Sequence, residues 1–248
     1  MRPLREPARA EILREMSFWD HLGELRGVLV SSLIALLGLS IVAWFYSGPI
    51  MDWLVAGVPV DHLMFVAPSE AFMTRMKLSF ILGGLVSFPY IGYRVWRFVA
   101  PGLFRRERGR LLPVAVASAV LFYGGIAFSY FFVVPVIVRF MLGYATERIQ
   151  PMISIGAYFT TVSRMCLAFG LVFQLPIVIL LLSFMGIVAP QFFVRQWRYA
   201  VVIIFVAAAI FTPPDPVSQV LMAVPLVVLY IGSAFFAVAV MRRRKHES

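Results

Sequence analysis

Residues 94–110 read RVWRFVAPGLFRRERGR, a dense run of charge between two long apolar segments. The run holds six arginines and one acid, Glu107, with Trp96, Phe98 and Phe104 interleaved. Such a stretch is expected to be an aqueous loop joining two membrane-spanning helices. Arginine is retained on the cytoplasmic side of a bilayer, so the loop is expected to face the cytoplasm.

The composition agrees. Of 248 residues, 61% are hydrophobic and 14% charged, and the mean hydropathy is +0.90. A soluble domain carries about 25% charged residues, so the chain belongs to the membrane class. The single cysteine, Cys166, lies in an apolar run, which leaves no disulfide framework or metal cluster to expect. The net charge of +10 raises the question of nucleic acid, but topology-setting arginines account for it, and no nucleic-acid partner is expected. The first strongly apolar run starts near Val28 with no small-residue cleavage site after it, so no cleavable signal is expected.

Outward from the arginine loop, the apolar runs give an all-α polytopic protein in one domain with six spans. These are expected at about 27–45, 72–93, 112–140, 157–185, 199–211 and 217–241. Residues 1–16 form a flexible cytoplasmic segment and 242–248 a basic cytoplasmic tail. Ser17 reads as an N-cap, and Leu22, Leu25 and Leu29 share a face that lies on the membrane before the chain dips in. Residues 46–68 are too polar and too rich in Gly and Pro to span, and read as the first outer loop. Ser69 reads as the N-cap of the second span, and Glu70 suits the positive end of its dipole. Arg75 and Lys77 follow, close enough to the outer interface to snorkel. The length of the third span suggests tilt. Residues 199–211 supply about 20 Å of helix, short of a hydrocarbon core of about 30 Å. The turn at 212–217 therefore lies below the outer surface, with Asp215 as N-cap and Pro216 as first helical residue. Prolines 89, 135, 176 and 225 fall inside spans, where each kinks its helix.

Six spans put both termini on one side. Lys and Arg number five through Arg26, six in the first loop, two in the second and four in the tail, seventeen of twenty-two. That bias places both termini in the cytoplasm.

Catalysis finds little support. His21, His62 and His246 all fall outside the expected membrane core, and no second histidine completes a zinc motif with His21 and Glu24. No nucleophile is paired with a base inside a span, so neither an enzyme nor a cofactor is expected. The polar groups at the cytoplasmic face say more. Glu24 and Glu107 each either pair with a neighbouring arginine or hold a guanidinium of a basic partner, which a carboxylate meets bidentately. Phe98 supplies cation–π or apolar packing; Trp96 suits the interfacial aromatic belt. Within the membrane, Gln174 is either a helix–helix hydrogen bond or a polar point in a partner-facing groove. For Arg164, snorkelling is the default. A small-solute transporter or channel is the alternative, but its inverted repeats and paired mid-membrane ionisable groups are not evident.

With these residues in view, the chain resembles the TatC family, the polytopic core of the twin-arginine protein translocase. The likeness covers about 18–241. It is carried by HLGELR at 21–26, PSEAF at 68–72, MKL at 76–78 and YRVWRFVAPGLFRRER at 93–108. FGLVFQLP at 169–176 and TPPDPVSQ at 212–219, with Pro225, complete it. The resemblance implies a non-enzymatic receptor for the twin-arginine signal peptides of folded precursor proteins. It implies a place in an oligomeric complex of the bacterial cytoplasmic (inner) membrane, with single-span partners of the TatA and TatB kind and transport driven by the proton-motive force. Glu24 and Glu107 match the acids that contact the arginine pair; Arg26, Phe98 and Arg105 belong to the same surface. Asp215 and Gln219 match an outer hairpin linked to partner contact or assembly. Two positions depart from the pattern: Gln174 stands where the family usually has glutamate, and Ile231 where an acid often follows Leu-Tyr. An amide keeps hydrogen bonding but does not ionise.

Overall fold

The computed structural model describes residues 18–56, 63–99, 111–146, 148 and 150–246. Those residues are helical throughout their long segments, with no strand among them, and an isolated backbone bridge pairs Met64 with Ser154. The helices are α1 (Phe18–Ala56), α2 (Pro68–Val99), α3 (Leu111–Phe128), α4 (Val134–Leu142), α5 (Ile155–Val172), α6 (Leu175–Phe184), α7 (Pro190–Arg195), α8 (Trp197–Phe211) and α9 (Pro216–His246). A π-helical turn, Ser129–Val133, joins α3 to α4. Five segments are long and apolar enough to cross a membrane, and α8 is a shorter apolar helix of 15 residues. The expected order of six apolar segments is therefore present.

Several boundaries differ from the sequence reading. The first helix does not stop at 45. It runs through Pro49 to Ala56, into what read as outer loop. Proline at 49 removes one backbone donor, but Ile50, Met51, Leu54 and Val55 beyond it pack onto the core, and that burial outweighs the local propensity. Ser17, the expected N-cap, lies outside the described residues. In α2, Pro68 takes the first helical position, where a missing N–H costs nothing, so Ser69 lies inside the first turn instead of capping it.

The third segment accommodates its length through the π turn. Pro135 has no N–H for the carbonyl one turn back, and just before it Val134 N–H reaches back five residues to Ser129 O. The fourth segment is broken. Pro176 sits in the first turn of α6, so the α5 ladder ends at Val172 and the chain turns at Phe173 and Gln174. The expected cytoplasmic loop at 186–198 contains α7, entered after Gly186, whose φ of 72° closes the preceding helix end.

The core draws on α4, α5, α6 and α9: Phe169, Met165, Ile137, Ile179, Met222 and Leu226 are almost fully buried. Two close approaches fix the layers. At Gly83, α2 comes so near α1 that an added Cβ would lie 2.6 Å from the Ser40 backbone. At Gly125, α3 lies against α5, with Phe169 O 2.7 Å from such a Cβ. By contrast, Leu29, Leu33, Ile34, Ile41 and Phe45 of α1 are exposed, as befits a helix facing lipid.

Arg75 does not snorkel as expected. It turns inward onto α1, where Nε donates to Ser47 Oγ at 2.8 Å and the guanidinium stands 5.0 Å from the Trp44 ring centroid. The buried hydroxyl and the indole face together take the place of water around the cation. The starts of α2 and α5 are stapled by Glu70, which accepts from Val66 N at 2.7 Å, from Gly156 N at 2.8 Å and from Ser154 Oγ. The Met64–Ser154 bridge runs alongside, with Met64 N donating to Ile153 O and Ile155 N to Met64 O.

Candidate functional site

The start of α1 and the end of α2 lie together because the two helices run antiparallel along their length. Glu24, Gly27 and Val28 follow the i, i+3, i+4 spacing that puts residues on one helix face; Arg94, Arg97 and Phe98 repeat that spacing on α2. The two faces meet in a cleft of 170 Å³ lined by these six residues. Val28 is buried at its floor, Arg94 and Phe98 are half-buried, and Glu24 and Arg97 are exposed at its mouth.

Glycine at 27 leaves its carbonyl open, and Arg94 Nη2 donates to it at 3.2 Å. The Nε of the same guanidinium is buried with no hydrogen-bond partner among the described groups. Arg94 is thus tied to the α1 backbone, and among the described residues no hydrogen bond or ion pair engages the Glu24 carboxylate. Two cations and one anion line the cleft, so its chemistry suits a ligand presenting a guanidinium to Glu24 and an apolar surface to Phe98.

The other residues singled out from sequence distribute as follows. Arg26 is exposed on α1, outside the cleft lining. Glu107 and Arg105 lie outside the described residues. Gln174 stands at the α5–α6 break and exchanges two hydrogen bonds with Ser118 of α3. Asp215 caps α9, accepting from Ser218 N at 2.7 Å, and Gln219 Nε2 donates to Phe205 O of α8 at 3.0 Å. Gln219 therefore ties α9 to α8, while Asp215 closes the start of α9. Arg94 and Arg97 went unrecognised as cleft residues, because topology alone accounted for their charge. The signal was there: their spacing to Phe98 is that of one helix face.

Fold and site define a multi-pass, all-helical membrane protein with a mixed-charge cleft between α1 and α2. The family model of the Sec-independent protein translocase protein (TatC) matches residues 20–225. The TatC protein of Desulforapulum autotrophicum is 39% identical over 228 residues, spanning 88% of this chain and 84% of that one. That of Carboxydothermus hydrogenoformans is 38% identical, spanning 90% and 93%. A crystal structure of the twin-arginine translocase receptor TatC superimposes with a TM-score of 0.81 at 34% identity, covering 88% of this chain and 98% of that one. The chain belongs to the TatC family: it is a membrane component of a protein translocase and not an enzyme. The transporter or channel alternative is not favoured.

Proposed function

We propose that this chain reads twin-arginine signal peptides of folded precursor proteins at the cleft between α1 and α2. Glu24 takes one guanidinium bidentately, Glu107 of the adjoining loop takes the other, and Phe98 packs against the peptide's apolar part. Arg26 and Arg105 frame the same surface. In this reading the chain is one transmembrane domain of the bacterial cytoplasmic (inner) membrane, with both termini in the cytoplasm, as the bias of seventeen of twenty-two Lys and Arg supports. Single-span partners of the TatA and TatB kind assemble on it into an oligomeric complex, with Gln174, Asp215 and Gln219 on the side of partner contact.

The observation that carries the reading is the division of labour in the cleft. One arm of Arg94 is held by the Gly27 carbonyl, and the Glu24 carboxylate, beside Phe98, is unengaged among the described residues. A hydrogen bond to a charged group contributes about 1.5–3 kcal/mol, roughly ten- to hundredfold in affinity. The test is photo-crosslinking of the detergent-purified protein to a signal peptide carrying Arg-Arg or Lys-Lys. Glu24→Gln should weaken capture of the Arg-Arg peptide about tenfold or more, and Glu107→Ala should abolish it. Unchanged capture in folded variants, or equal capture of both peptides by the unsubstituted protein, would overturn the proposal. Partner contact is tested separately: Gln219→Leu should reduce co-purification of the single-span partners while peptide capture persists.

A further inference from the structure

Two residues beyond Arg75, the chain does the opposite with its next cation. Arg75 turns onto α1, whereas Lys77 turns to α5, where its Nζ comes within 3.5 Å of Thr160 Oγ1. Across from it stands Arg164 of α5. The two cations line one groove of 380 Å³ between α2 and α5. Both are exposed, no acid lines the groove, and no ion pair engages either among the described residues.

The groove is graded along its length. Lys77 stands nine positions after Pro68 and Arg164 nine after Ile155, so the cations lie at one level in two parallel helices. Thr74 and Thr160 lie a turn nearer the helix starts, with Ser163 beside Arg164. Phe80, Ile81 and Leu167 lie a turn deeper. Nine residues of helix rise about 13 Å, and the 32 residues of α2 about 48 Å, against a hydrocarbon core of about 30 Å. A centred α2 therefore places both Cα atoms about 5 Å below the hydrocarbon boundary. Helical side chains tilt toward the helix N-terminus, so both cations reach back to the phosphate level.

We propose that this groove binds an anionic phospholipid of the outer leaflet, its phosphate between Lys77 and Arg164 and an acyl chain along Phe80, Ile81 and Leu167. Hydroxyls above, two cations at the phosphate level and an apolar lane beneath match the polarity of a lipid standing in its own leaflet. Free phosphate would use the cations and leave the lane unfilled; a partner's carboxylate would leave one cation and the hydroxyls surplus. The leaflet assignment rests on both helices starting at the outer face, as in the proposed topology.

The experiment is native mass spectrometry of the full chain in detergent, titrated with phosphatidylglycerol, phosphatidylcholine or inorganic phosphate. The unsubstituted protein should retain phosphatidylglycerol in preference to phosphatidylcholine. Lys77→Gln and Arg164→Gln should each cut that preference roughly fivefold, and the double variant should erase it. Arg139→Gln, an exposed cation outside the groove, should leave it intact. A double variant that keeps the preference, an equal loss in Arg139→Gln, or displacement of the lipid by inorganic phosphate would each overturn the site. In membranes, a photo-crosslinker at Ser163 should yield a lipid-mass adduct; a protein adduct instead would assign the groove to a partner helix. Labelling of Met152→Cys, an exposed residue just before α5 and outside the groove, by a membrane-impermeant maleimide from the outside tests orientation on its own, so failure of the topology and failure of the site are told apart.

Discussion

Ser118 and Gln174 are joined by reciprocal hydrogen bonds: the Ser118 hydroxyl donates to Gln174 Oε1 at 2.5 Å, and Gln174 Nε2 donates to the Ser118 carbonyl at 3.0 Å. The amide uses its acceptor and its donor on one residue, which ties α3 to the break between α5 and α6. A carboxylate has no donor for that carbonyl unless protonated. Gln174→Leu should therefore lower stability by about 1–2 kcal/mol, read as a fall in the thermal midpoint of the purified protein. Combining it with Ser118→Ala should cost less than the sum, since both remove one interaction. Gln174→Glu should fall between the amide and leucine, keeping the Ser118 hydroxyl bond and losing the other. A neutral Gln174→Leu would show that the pair contributes nothing to the fold.

The same pair shows what a sequence conveys and what it withholds. Order and number of apolar segments follow from runs such as 27–45 and 157–185, because a bilayer leaves few alternatives for apolar stretches of that length. Helix ends do not follow. Pro49 is absorbed within α1, although its neighbours Ser47, Gly48 and Asp52 read as loop, while Pro176 ends a helix inside an apolar run. The difference is tertiary: packing of residues 50–55 holds the first helix together, whereas Gln174 bonded to Ser118 holds the second open. The site was legible to the same degree. Glu24 and Phe98 stood out as an acid and an aromatic in a basic frame. Arg94 and Arg97 did not, because their membership of the cleft depends on the antiparallel register of α1 and α2, which neither helix encodes alone.

That register depends on Gly83. An added Cβ would meet Ser40 Cα and N at 2.6 Å, backbone that cannot turn away like a side chain. Gly84 supplies the contrast, since its Cβ would come to 3.5 Å from Leu36 Cδ1, an ordinary contact. Gly83→Ala should therefore cost about 1–3 kcal/mol, and Gly84→Ala should be close to neutral. Midpoints of the two variants in one detergent decide the point; equal midpoints would mean that the helices part at no cost.

Arg75 makes a second tie between the same helices, near the start of α2. Its planar guanidinium reaches Ser47 Oγ and faces the Trp44 ring at once, which a compact ammonium does not do. Arg75→Lys should lower stability by about 1 kcal/mol despite keeping the charge. A double-mutant cycle with Trp44→Leu should return a coupling of about 0.5–2 kcal/mol. Additive losses would assign the effect to the Ser47 hydrogen bond alone.

At the start of α2, Glu70 gathers three donors from two separate segments: Val66 N, Gly156 N and Ser154 Oγ. Ser154 in turn accepts from Ala157 N and caps α5. Glu70→Ala removes the acceptor shared by both segments, so the segment at 150–157 should become open to protease in the purified protein. Ser154→Ala should open it less, because Gly156 N keeps its bond to Glu70. Unchanged cleavage rates in Glu70→Ala would leave the Met64–Ser154 bridge as the sufficient tie.

Arg97 decides what the basic frame of the cleft does. It is exposed beside Glu24, so it repels any incoming cation, guanidinium or ammonium alike. That Coulombic repulsion is indifferent to the shape of the cation, whereas bidentate pairing with Glu24 is not. Arg97→Gln should therefore tighten binding of Arg-Arg and Lys-Lys signal peptides by a similar factor, about two- to fivefold at low salt, and leave their ratio unchanged. Glu24→Gln should do the reverse and lower the ratio, leaving the share that Glu107 contributes in the proposed reading. Raising the salt should shrink the Arg97 effect and spare most of the discrimination by Glu24. If Arg97→Gln instead weakens the Arg-Arg peptide, Arg97 is a contact to the peptide's own acceptors, and the discriminating unit becomes the Glu24–Arg97 pair rather than the acid alone.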